Sequence, residues 1–228
     1  MRSHNNLFKL CFAGIFTAIA YISTFFVYIT VAGFLTYDIK DALITVCAMI
    51  LGPLYGVAMS LIVSFIELIT VSGTGFWGFL MNFISTAVFA VVASWIYKRC
   101  SKLYGAFLGL GTAVVSTTAV MVLMNIIITP IYQGQPREAV IALIPSILLP
   151  FNLTKAVLNA GLVLALYKPL ITALRSAKLL PSSKNENSDN KTNSFWSART
   201  LLVIIVAAVL IVASITYMVF GLGASFGF

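Results

Sequence analysis

Residues 103–130 read LYGAFLGLGTAVVSTTAVMVLMNIIITP, without one charged side chain. A helix needs about 20 apolar residues to cross roughly 30 Å of hydrocarbon, so this run is long enough to span a bilayer. Working outward, further apolar runs occupy residues 7–31, 53–71, 78–97, 150–167 and 201–221. A shorter run, 39–52, predicts a helix supported by its neighbours; the Gly52-Pro53 turn closes it, and proline suits the start of the next helix. The whole chain agrees: its 228 residues are 61% hydrophobic and 9% charged, with mean hydropathy +1.04. A soluble domain carries about 25% charged residues. This composition excludes a soluble globular enzyme, a disordered chain and a disulfide scaffold. Cys11, Cys47 and Cys100 read as small hydrophobes or free thiols, not as a metal site. The expected fold class is an all-α integral membrane protein with six helices and one additional C-terminal transmembrane helix. The run 7–31 is too long for a signal peptide and lacks a clean cleavage site.

The net charge of +8 is distributed as a topology signal. With the amino terminus inside, Arg2, Lys9, Lys98, Arg99, Lys102, Lys168, Arg175, Lys178, Lys184, Lys191 and Arg199 are all cytoplasmic; Lys40, Arg137 and Lys155 are outside. The cytoplasmic excess of basic residues orients such proteins, so a multi-pass cell-membrane protein with an outer carboxyl terminus is expected. Residues 182–194, SSKNENSDNKTNS, contain no apolar side chain and cannot offset their ordering entropy. Three regions follow: a membrane core, 1–172; a flexible polar cytoplasmic linker, 173–198; and an added helix with a short tail, 199–228. This last helix reads as a membrane tether, dispensable for anything the core does, or as a packing element.

Polar groups inside a bilayer are costly and by default mark a site. Here they gather at one depth. Asp38 and Asp41 are expected to start the 39–52 helix at the outer face. Glu67 lies near the outer end of its helix, as do Asn82 and Asn125, and Asn152 and Lys155 share one helical face that Asn159 extends inward. The cytoplasmic halves carry no comparable groups. A pore would be polar throughout; this pattern describes a cup that captures a polar solute from outside. Singly, each residue also has an ordinary explanation: a snorkelling lysine, a neutral buried carboxyl, interhelical amide bonds or helix caps for the aspartates. Glycine-broken aromatic loops, including Tyr37, Phe76 and Trp77, suit a flat ring with polar edges; the alternative is an interfacial aromatic belt.

Phosphate-loop, H-E-x-x-H, C-x-x-C and nucleophile-elbow motifs are all absent, and nucleic acid is not an expected partner. An intramembrane enzyme would rest on Asp38, Asp41 and Glu67 alone, without a histidine. A ligand-free structural protein would leave the clustered polar groups unexplained.

The stretch 34–41, FLTYDIKD, followed by LGPLYG at 51–56, resembles the substrate-binding subunits of energy-coupling factor (ECF) transporters. Gly73-Thr74-Gly75, Met81-Asn82-Phe83, Met124-Asn125 with Pro130-Ile131-Tyr132, and LPFNLTK at 149–155 are similar to the riboflavin type. The resemblance covers about residues 7–172. It implies a non-enzymatic six-helix S-component that takes riboflavin from outside and is served by a coupling subunit and two ATP-binding cassette ATPases. No cofactor is implied; ATP is used by the partners. Riboflavin's ring carbonyls would meet Lys155 and Asn152, its ribityl chain Asp38, Glu67, Asn82 and Asn125, and its ring face Tyr37 with Phe76 or Trp77; Asp41 is counted with these substrate-binding residues. Ala13, Gly14, Thr17 and Ala18 on the first helix would admit the coupling subunit closely, or serve intrachain packing. Two features depart from the family: the seventh helix, and Lys40, where a small residue is expected between the aspartates.

Overall fold

The computed structural model describes residues 2–26, 28–31, 35–71, 73–100, 103–176 and 198–227. The linker 182–194, Ser101 and Lys102 of the loop 98–102, and Gly33, Phe34 and Ser72 of the outer loops lie outside them. The described elements are α1 (Arg2–Ser23), β1 (Tyr28–Val31), β2 (Leu35–Asp38), α2 (Lys40–Leu51), α3 (Pro53–Thr70), α4 (Gly75–Arg99), α5 (Leu103–Gln133), α6 (Arg137–Ala142), α7 (Leu149–Ser176), α8 (Ala198–Thr216) and β3 (Ser225–Gly227). Among the described residues, five helical segments are long and apolar enough to cross a membrane. The chain is an all-α membrane bundle carrying one small sheet.

Side chains explain how closely the helices approach. In lipid there is little hydrophobic drive between helices, so small residues that allow close van der Waals contact hold them together. The buried clusters accordingly contain Ala42, Ala93, Ala106, Ala113, Ala156, Ala160 and Ala207 on five helices, and Ala48 and Ala90 beside them. Helix α4 packs against α2, α3 and α5, while α7 packs against α2, α5 and α8. Between α2 and α3, Gly52 turns with φ 129°, a conformation that favours glycine. Lys98 of α4 donates to the Leu51 carbonyl there, 3.1 Å away. Arg99 lies over the Trp95 ring, 4.3 Å from its centroid, which suits a membrane-interface anchor.

Two expectations need correction. The run 7–31 is not one helix: α1 stops at Ser23, and Tyr28–Val31 forms a strand antiparallel to Leu35–Asp38. The β-branched and aromatic composition of YITV and LTYD favours this pairing. Asp38 therefore ends a strand instead of starting the next helix, which begins at Lys40. Before α7 the chain between Pro136 and Pro150 is helical too: α6 is followed by a π turn, Ile144–Leu148. Pro145 and Pro150 remove two backbone donors here, and the chain takes the wider turn.

The carboxyl-terminal helix is not a loose tether. Val203 and Ala207 are buried in the same cluster as Ala156, Ala160, Val163 and Leu164 of α7. A Cβ on Gly161 would lie 3.0 Å from Ile211 and 3.2 Å from Leu210, so glycine sets this close crossing. Strand β3 then adds to β1, giving the sheet order β2-β1-β3.

Candidate functional site

The polar residues expected near the outer face form two connected groups. The first is an ion cluster. Lys40, only 2% exposed, places Nζ 2.6 Å from both Glu67 carboxylate oxygens and 3.1 Å from Asp38 Oδ2. Strand β2, α2 and α3 each contribute one charge. A charge without a partner at this depth would be very costly, so the three fix one another. Asn82 Nδ2 on α4 reaches Glu67 Oε2 over a long 3.5 Å.

The second group centres on Asp41, 1% exposed. Thr86 Oγ1 donates to its Oδ1 at 2.6 Å, and Asn159 Nδ2 to its Oδ2 at 3.3 Å. Lys155 Nζ stands 3.6 Å from Oδ2 and donates to the Thr36 carbonyl at 3.2 Å. At 3.6 Å the lysine–aspartate contact is an ion pair and not a hydrogen bond. Asp41 thus ties α2 to α4 and α7, and Lys155 ties α7 to β2.

Beside both groups opens a cavity bordered by β2, α4, α5 and α7. Asn82, Asn125, Asn152 and Lys155 all line it, from α4, α5 and α7; Phe151 and Tyr132 are its aromatic walls, and Thr36 and Leu35 of β2 border it. The amides are held: Asn125 Nδ2 donates to the Met121 carbonyl and Asn152 Nδ2 to Leu148, each at 2.7 Å, and Thr129 Oγ1 donates to Asn125 Oδ1. The Asn152 contact lands on the last residue of the π turn, an irregularity common at functional sites.

The other sequence-expected site residues are placed differently. Asp38, Asp41 and Glu67 are in the ion clusters and not in the cavity lining. Tyr37 is buried among Val31, Leu35 and Phe151, and burial, helped by Asp41 and Asp38, pushes its phenol well above its ordinary value. Its hydroxyl has no hydrogen-bond partner among the described residues. Phe76 is 58% exposed and faces Trp77 and Phe79; neither Phe76 nor Trp77 lines the cavity. On α1, Ala13 and Thr17 turn inward and Thr17 Oγ1 bonds the Ala13 carbonyl at 2.7 Å. Gly14 and Ala18 face outward, and a Cβ on Gly14 would meet nothing within 4 Å.

The sequence reading missed Lys40 and Thr86 as organising residues, and Ser85, Phe151 and Tyr132 as lining residues. Signals existed for some. Thr86 follows Asn82 by four residues and so shares its helical face. Phe151 adjoins Asn152 in the LPFNLTK stretch. Lys40 had no such signal, because its partner Glu67 comes from another helix.

Residues 8–167 match the family model described as "ECF transporter, substrate-specific component". Among curated proteins, none matches this sequence. A solved chain described by "Structure and mechanism of the S component of a bacterial ECF transporter" is similar at 24% identity and TM-score 0.64, over 73% of this chain and 97% of that one. At that identity the likeness bears on the fold alone, and it agrees with the bundle described above. Members of the matched family are substrate-binding transporter subunits, not enzymes, and work with a transmembrane coupling subunit and ATPases. With a buried polar cup on one side of an all-α membrane bundle and a family match over most of its length, this chain belongs to the substrate-specific components of ECF transporters.

Proposed function

We propose that the chain captures riboflavin from the outer side of the cell membrane and passes it inward when a coupling subunit and two ATPases act on the loaded subunit. The observation that carries this reading is that Lys155, Asn152, Asn125 and Asn82, from three helices, line one cavity. Lys155 and Asn152 offer donors to ring carbonyls, Asn82 and Asn125 offer amides to hydroxyls, and Phe151 and Tyr132 offer apolar faces to a ring. The outward pair Gly14 and Ala18 on α1 supports close approach by the coupling subunit.

Lys155→Ala and Asn152→Ala should each weaken riboflavin binding by about 1–3 kcal/mol, tenfold or more in affinity, with elution in detergent unchanged. Quenching of flavin fluorescence on titration measures this. Parent-like binding by both variants would remove the site assignment. A second reading, another vitamin or small heterocycle, is favoured by the engagement of Asp38, Asp41 and Glu67 in ion pairs, which withdraws acceptors from a ribityl chain. A vitamin panel on the purified protein separates the two, and a yellow preparation favours riboflavin.

The capture direction has its own test. Cys100 is exposed at the end of α4, next to Lys98 and Arg99. With Cys11 replaced by serine, a membrane-impermeant thiol reagent added to intact cells should leave Cys100 unmodified. Rapid modification from outside would reverse the topology.

A further inference from the structure

The elements beyond the family match connect back to the cavity by two routes. The match ends at residue 167, so α8 and β3 lie outside it. The first route is the sheet. Strand β3 pairs antiparallel with β1, Tyr28 opposite Gly227, Ile29 opposite Phe226 and Thr30 opposite Ser225. Strand β1 pairs on its other side with β2, whose Leu35 and Thr36 border the cavity. The second route is the core. Met218, in the π turn Tyr217–Gly221 that follows α8, is fully buried in one cluster with Val31, Leu35 and Phe151. The chain from Met218 to β3 closes through a bond from the Ala224 amide to the Met218 carbonyl at 3.0 Å.

A two-stranded hairpin alone is marginally stable, and a third strand or a packed face is what steadies it. Here α8 and β3 supply both: β3 satisfies the outer edge of β1, and Met218 fills the space behind Val31 and Leu35. Helix α8 is itself seated on α7 at Gly161, and α7 carries Asn152 and Lys155. We propose that α8 and β3 form a strap that holds the β1–β2 hairpin across the mouth of the capture cavity, so that entry requires the strap and hairpin to move together. The strap rests on the cavity being the capture site, and its test needs no ligand, so a failure to bind riboflavin would leave the result standing.

The test uses the full chain with its three native cysteines replaced by alanine and Ser85→Cys as the reporter, since Ser85 lines the cavity and is 5% exposed. The rate of modification by a small methanethiosulfonate reports opening. Adding Thr30→Cys and Ser225→Cys, which occupy directly opposed positions, and oxidising them should lock the strap and slow the reporter by about tenfold or more; Met218→Ala should instead speed it by about tenfold, as expected when a local opening becomes easier. A rate within about twofold of the parent in the locked protein, or failure of the opposed cysteines to join, overturns the strap. The locked protein guards against misfolding, because a disrupted bundle would react faster and not slower.

Discussion

Lys40→Met is expected to destabilise the bundle by about 3–5 kcal/mol, the usual cost of removing one member of a buried ion pair. The lysine is 2% exposed and its ammonium lies between Glu67 and Asp38. Without it, two carboxylates face each other with no positive charge between them. The damage should spread to the cavity, because Glu67 also receives Asn82, an amide in the cavity wall. The measurement is the temperature at which monodisperse elution in detergent is lost, with the double variant Lys40→Met/Glu67→Met as its partner. Removing Lys40 and Glu67 together ends the repulsion between the two carboxylates and leaves only Asp38 without its partner, so the double variant should recover part of the parent's stability. A single variant as stable as the parent, or a double variant that is worse than the single, would show that the ion cluster does not hold these elements together.

Asp41→Ala should combine a structural and a functional loss. Asp41 accepts from Thr86 and Asn159 and neutralises Lys155, so its removal frees two donors and leaves a mostly buried ammonium with the Thr36 carbonyl. The expected stability loss is again about 3–5 kcal/mol. Affinity for riboflavin, the proposed ligand, should fall by tenfold or more, about 1–3 kcal/mol, because Lys155 loses the carboxylate that neutralises it at the cavity wall. Asp41→Asn sharpens the test. It preserves shape, but its amide would point a donor at Asn159 or Lys155, so it too should lose affinity. Heating curves and fluorescence titrations read the two effects separately. Full binding by Asp41→Asn would show that Lys155 is positioned by something other than this carboxylate.

The membrane class, the principal spans and the polar cup were legible in the sequence, and for a physical reason. Hydrocarbon imposes a length and an apolar composition on every crossing helix, so residues 103–130 declare their environment unaided. Depth along a helix is likewise a matter of counting, which is why Asn82, Asn125, Asn152 and Lys155 could be set at one level before any fold was known. What counting along the chain does not supply is the partner of a charge. Lys40 reads as an outer-loop lysine, yet it is buried against Glu67, 27 residues away on another helix. Asp41 likewise finds Asn159, 118 residues away. The acidic residues therefore read as ligand contacts, although the folded chain uses them to neutralise lysines. The same limit hid the sheet. Tyr28–Val31 is apolar enough to continue α1, and only pairing with Leu35–Asp38 and with Ser225–Gly227 makes it a strand. Hydropathy determined which segments enter the membrane; tertiary contact decided which buried charges neutralise one another, and that the last helix of the chain packs on α7, the helix that carries Asn152 and Lys155 to the cavity.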